Sequence, residues 1–103
     1  PEFQRRAEAL ITEQEKQRII NYLALHPHAG VIMQGTGGIR KLRWATGSKG
    51  KSGGVRVVYY VHNDSMPLIL LSLFGKSEKA NLSKSERNAL AKFTSMLVKN
   101  YGA

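Results

Sequence analysis

The hydrophobic period of this 103-residue chain changes from helical to strand-like at Gly30, and that change limits the fold more than any other feature. Before it, Phe3, Ala7, Leu10 and Ile11 recur at spacings of three and four, which predicts a helix from Glu2 to about Ile11. Thr12 and Glu15 have the spacing of a capping box, so a second helix starts there, turns Ile19, Ile20, Tyr22, Leu23 and Leu25 inward, and stops at Pro27 and Gly30. The first quarter therefore reads as an αα-hairpin. After Gly30 comes the short apolar run Val31 to Met33, then the turn Gly35-Thr36-Gly37-Gly38. Ile39–Ala45, Val55–His62 and Leu68–Phe74 have the composition of strands, and the last of these, apolar on both faces, is expected in the middle of the sheet. Asn63-Asp64-Ser65 is a hairpin connection, and short links imply an antiparallel meander. Ser83 and Glu86 form another capping box, after which Ala89, Leu90, Phe93, Met96 and Leu97 line one helical face. The expected fold is α+β, with an antiparallel sheet of three to four strands and an N-terminal αα-hairpin and C-terminal helix packed on one face. Residues 1–103 form a single domain in this reading.

Composition narrows the function classes. With no cysteine, the chain has no disulfide, no thiolate zinc site and no cysteine nucleophile, so core packing must hold it together. The longest apolar stretch, near Leu68–Phe74, is far below the roughly 20 residues of a bilayer span. With no signal-like opening, a cytoplasmic protein without membrane contact is expected. Sixteen Lys and Arg against seven Asp and Glu give +9, a surface that attracts polyanions. No acid occurs between Glu15 and Asp64, an interval that holds Lys16, Arg18, Arg40, Lys41, Arg43, Lys49, Lys51 and Arg56. A merely solubilising surface intersperses both signs, which this interval does not.

Strand alternation sorts these charges. Lys41 and Arg43 share one face of their strand, Leu42 and Trp44 the other. In the next strand Arg56, Val58, Tyr60 and His62 alternate with Val55, Val57, Tyr59 and Val61, and the second set is the better core face. If helices cover that core face, Lys41, Arg43, Arg56 and Tyr60 converge on an open one, with Lys49 and Lys51 in a loop at its rim. The competing explanation is that strand charges merely guard an edge. Gly50-Lys51-Ser52 is not a phosphate-binding loop, because Ala45 stands where the first glycine is needed and a strand follows instead of a helix. His26 and His28 flank Pro27 with no ligand partner at usable spacing, so they read as a solvated turn and no metal site is expected. Trp44 and Tyr59 read as core residues, whereas Tyr60 and Tyr101 are undecided.

Gly35-Thr36-Gly37-Gly38-Ile39-Arg40-Lys41-Leu42-Arg43-Trp44, followed by Gly50-Lys51-Ser52-Gly53-Gly54-Val55-Arg56-Val57-Val58-Tyr59-Tyr60, resembles the RelE/HigB toxins of bacterial type II toxin-antitoxin systems, closest to the HigB-like branch. Leu70-Leu71, Phe74-Gly75-Lys76-Ser77-Glu78 and Leu82-Ser83 with Glu86 extend the likeness over nearly the whole chain. The resemblance implies an enzyme that cleaves mRNA in the ribosomal A site and inhibits translation, with no metal and no cofactor. It implies a cognate antitoxin of helix-turn-helix type as partner, contact with ribosome and mRNA, and operator DNA engaged only through the antitoxin complex. The family's basic positions fall on Lys41, Arg43, Lys49, Lys51 and Arg56, and near Lys76. Arg40 belongs to the matched motif, yet by parity it points to the opposite face. The family's first strand, before the first helix, has no counterpart in this sequence, and Ser77 and Glu78 stand where one branch carries an Arg and, a few residues on, a Tyr.

Cleavage of RNA by its own 2′-hydroxyl needs a base, cations for the phosphorane and an acid for the 5′-oxygen. Arg43 and Arg56 suit the phosphate, since a guanidinium grips two oxygens at once. Lys41 is the better base, since neither guanidinium loses its proton easily. Tyr60 or His62 is the acid candidate, and substrate alignment by the ribosome supplies part of the rate. Arg40, Lys49, Lys51 and Lys76 are the expected RNA and ribosome contacts. Two rivals stay open: a ParE-like gyrase-directed toxin of the same fold, against which the basic cluster argues, and a non-catalytic basic RNA-binding protein.

Overall fold

The computed structural model describes residues 2–45, 54–62, 68–75 and 83–100. Two helices, α1 (Glu2–Leu10) and α2 (Glu13–Leu25), precede the strands β1 (Val31–Ile32), β2 (Ile39–Ala45), β3 (Gly54–Tyr60) and β4 (Ile69–Gly75), and α3 (Lys84–Asn100) follows. The strands form one antiparallel sheet in the order β1-β2-β3-β4. This is the α+β meander that the change of period predicts. One placement differs: β3 is central and β4 lies at an edge. β4 is apolar on both faces because a helix packs against each of them, and two-sided cover does not require a central position. The β3–β4 register shifts between Val58 and Tyr59, whose partners are Ser72 and Leu70, so Leu71 is the extra residue of a bulge.

Two cores lie on opposite faces of the sheet. The larger joins Phe3 and Ala7 of α1 and Ile19 and Leu23 of α2 to Val55, Val57, Tyr59 and Leu73. The smaller joins Ile39, Val58 and Tyr60 to Ile69, Leu71 and Phe74, with Leu90, Leu97 and Val98 of α3 packed on it. The expected placement of all three helices on one face is therefore corrected: α3 covers the face opposite the hairpin. Val58 and Tyr60 are the reason, since β3 carries large side chains on both faces and both must leave water. The apolar face expected for α3 is corrected as well. Leu90, Thr94 and Leu97 turn inward, while Phe93 and Met96 are exposed.

Individual hydrogen bonds fix how the layers meet. The Tyr59 hydroxyl is fully buried, donates to the Pro27 carbonyl (2.9 Å) and accepts from the Gly30 amide (2.8 Å), which pins the α2–β1 connection to the central strand. Thr36, also fully buried, bridges its own turn: its Oγ1 donates to the Met33 carbonyl and accepts from the Ile39 amide. Thr94 of α3 reaches the Thr36 carbonyl (3.4 Å), and the contact is so close that a Cβ on Gly37 (φ +80°) would lie 2.3 Å from Thr94 Oγ1. The two capping boxes differ. Ser83 and Glu86 make both reciprocal bonds, at 2.8 and 3.1 Å. Thr12 accepts from the Glu15 amide, but the buried Glu15 carboxylate turns to Trp44 Nε1 (3.0 Å), so this box is half made.

Candidate nucleic-acid interface

Lys41, Arg43 and Arg56 are brought together on one face of β2 and β3. Arg43 lies directly opposite Arg56, and Lys41 lies opposite Val58, one alternation further along the same face. Directly opposed residues have Cβ atoms about 4.5–5.5 Å apart, and residues i and i+2 of a strand are separated by about 6.6 Å, so three cationic stems rise from a patch roughly one phosphodiester wide. Arg43 is exposed, and Lys41 and Arg56 are half-buried. Among the described residues neither Lys41 nor Arg43 is in an ion pair with a carboxylate. Two guanidiniums and an amine held this closely repel one another, and a bound polyanion relieves that repulsion. The next residue in the same row is Phe74 of β4, directly opposite Arg56.

The face is not open along its whole length. Tyr60 is only 4% exposed beneath α3, and its hydroxyl shares a hydrogen bond with His62 Nδ1 (3.3 Å) while the two rings stack at 25°. His62 is exposed at the strand end. Tyr60 is four positions and His62 six positions along the chain from Arg56, about 13 and 20 Å on an extended strand. Arg43 and Arg56 thus hold one end of the face and the Tyr60–His62 pair the other, with Lys41, opposite Val58, midway between them. Arg40 lies on the hairpin face, as parity predicts, and its Nη1 donates to the carbonyls of Gly30 (2.7 Å) and His28 (3.3 Å). It ties β2 to the loop before β1 and does not join the cationic patch.

Trp44 and Tyr59 are committed to the hairpin side, Trp44 through Glu15 and a T-shaped contact with Tyr22 at 5.5 Å. His26 lies tilted against Tyr22, with 4.7 Å between ring centroids and 41° between the ring planes, and His28 is exposed. Among the described residues no group of three or more His, Cys, Asp or Glu is arranged to hold a metal. Lys49, Lys51, Lys76, Ser77, Glu78, Tyr101 and the Asn63-Asp64-Ser65 connection lie outside the described residues.

A cationic row on the sheet of a small α+β domain invites comparison with known proteins, and the family model for the RelE toxin of RelE/RelB toxin-antitoxin systems matches residues 3–102. The chain belongs to the RelE toxin family. Its systems pair a toxin with an antitoxin, so this RelE-family toxin has an antitoxin as its counterpart. No helix among the described residues is long and apolar enough to cross a membrane.

Sequence reasoning passed over Arg6 of this RelE-family chain. It lies on α1, on the far side of the sheet, yet its Nε donates to the Leu73 carbonyl and its guanidinium carbon lies 4.9 Å from the centre of the Phe74 ring. No spacing within α1 signals this.

Proposed function

We propose that this RelE-family toxin is a ribosome-dependent endoribonuclease that cleaves mRNA in the A site and so halts translation. The observation that carries the reading is the cross-strand pair Arg43–Arg56 with Lys41 one alternation away on the same sheet face. Two guanidiniums present fixed forks to the non-bridging oxygens of one phosphate, where charge grows as the phosphorane forms. Lys41 takes the proton of the 2′-hydroxyl, the 2′-oxygen attacks phosphorus, and the bond to the 5′-oxygen breaks as that oxygen takes a proton from water. The products are a 2′,3′-cyclic phosphate and a 5′-hydroxyl. The patch is built of amines and guanidiniums, not of the carboxylates that suit a magnesium-dependent nuclease. Tyr60, one alternation beyond the Val58 that faces Lys41, is buried beneath α3, so in this reading water serves as the acid in place of Tyr60 or His62. Such a sparse set of catalytic groups depends on a substrate already held in an attacking geometry, which is what the ribosome supplies. The Gly35–Trp44 and Gly50–Tyr60 motifs favour the HigB-like branch, with a helix-turn-helix antitoxin that also engages operator DNA.

Primer extension on mRNA from cells expressing the chain tests the reading. Reverse-transcription stops within codons of translated messages are expected, and they vanish when translation is blocked before elongation. DNA-damage signalling without such stops would assign the protein to gyrase, and neither signal would leave a non-catalytic RNA binder.

A further inference from the structure

One row of side chains crosses three strands on the cationic face: Arg43 on β2, Arg56 opposite it on β3, and Phe74 opposite Arg56 on β4. With strands about 4.8 Å apart, Phe74 stands about 10 Å from Arg43 across the sheet. Arg6 reaches round the β4 edge from α1, donates from Nε to the Leu73 carbonyl, and sets its guanidinium against the Phe74 ring. The ring is half-buried, with part of its surface packed on the smaller core.

We infer that Phe74, steadied by Arg6, is a stacking platform for one unpaired nucleobase of the RNA whose backbone lies on Arg43 and Arg56. The inference rests on the nuclease reading only for the identity of the strand, and it names a contact to a base where that reading names contacts to a phosphate. Sites for single-stranded nucleic acid combine a cationic track for the backbone with an aromatic face for bases. The other large aromatics among the described residues are committed elsewhere or lie off the row. Tyr59 is fully buried and bonded twice, Trp44 is bonded to Glu15 on the opposite face, Tyr60 lies under α3, and Phe93 is on α3, outside the row. The guanidinium over the ring also explains why Arg6 sits at this edge: it holds the ring in one orientation and adds a cation beside the base.

The experiment is binding of a fluorescent, non-cleavable 2′-O-methyl RNA hexamer to the purified toxin by anisotropy, beside a strand of the same backbone with abasic residues. Phe74→Leu keeps an apolar side chain for the core, Phe74→Tyr keeps a stacking ring, and Phe74→Met replaces the leucine variant if that one does not fold. The wild type is expected to bind the base-bearing strand more tightly than the abasic one. Phe74→Leu should weaken the base-bearing strand about five- to 150-fold and leave the abasic strand unchanged, with Phe74→Tyr near wild type. Arg56→Lys should weaken both strands alike. Equal loss of both strands in Phe74→Leu, no loss of either, or a wild type indifferent to the bases would overturn the platform. Because the hexamer is never cut, the test stands apart from the nuclease reading, which primer extension decides separately.

Discussion

The two faces of the sheet are built from alternate residues of the same strands and have opposite characters. On the hairpin side every inward residue of β3 is buried, and two helices close over Val55, Val57 and Tyr59. On the other side α3 covers the Ile39–Val58–Tyr60 end, Lys41 stands opposite Val58 at the margin of that cover, and Arg43 and Arg56 lie beyond it. The closed face supplies stability and a fixed backbone. The half-covered face uses that rigidity to hold like charges together, which a flexible loop would let spread apart. A platform of this kind keeps its affinity for anions because the strands cannot relax to separate the cations.

The sharpest way to break this division is Arg56→Ala. Removing one guanidinium from the pair should lower single-turnover cleavage of ribosome-bound mRNA by about 10²–10³-fold and abolish toxicity. The urea unfolding midpoint should stay close to wild type, so a variant that is fully toxic at equal expression would move the site elsewhere. The closed face predicts the reverse behaviour. Leu73→Ala, at a fully buried position, should cost about 2–5 kcal/mol in urea unfolding, against roughly 1 kcal/mol for Leu90→Ala on the half-buried contact of α3. Equal losses would mean that α3 is as integral as the hairpin.

A smaller effect sharpens the same contrast at the seam between α3 and the β1–β2 turn. Gly37→Ala places a side chain in the left-handed region and against Thr94, so a loss of about 1–2 kcal/mol from the backbone is expected, with a steric share added. Combining it with Thr94→Ala should recover the steric share only, seen as a double variant less destabilised than the sum of its parts. The smallest change is expected from His62→Ala, which should leave cleavage within about twofold. A hundredfold loss there would bring the Tyr60–His62 pair back among the reacting groups.

The elements were legible because each has one dominant signal: a three-to-four spacing in α1 and α2, turn glycines before β2, and β-branched runs in β3. The cationic set was legible because alternation along a strand needs no tertiary information, and the observed cross-strand pairing of Arg43 with Arg56 agrees with it. What escaped was whatever depends on a second element. Periodicity alone cannot say which face of a sheet a helix will cover, so α3 was placed beside the hairpin. It was the burial of Val58 and Tyr60, on the face away from Val57 and Tyr59, that put it opposite. Phe93 and Met96 read as inward for the same reason: a helix with a wide apolar arc does not declare which stripe will meet the sheet. Glu15 has the spacing of a capping residue, but the half-buried indole of Trp44 claims its carboxylate. Arg6 gave no sign at all, because its partner is 67 residues away along the chain.

The two edges of the sheet are also unlike. At β4, Arg6 occupies the Leu73 carbonyl and leans over Phe74, so a strand arriving there would have to displace a charged side chain. At β1 the edge is two residues long, with Val31 and Ile32 both exposed. Stacking of copies head to tail needs one edge of each kind to be receptive, and the plug at β4 withholds one of them. Pairing between copies is therefore disfavoured at β4, whereas a β1-to-β1 contact would be symmetric and close on itself after two chains. The first helix of this basic protein thus withholds one sheet edge from strand pairing.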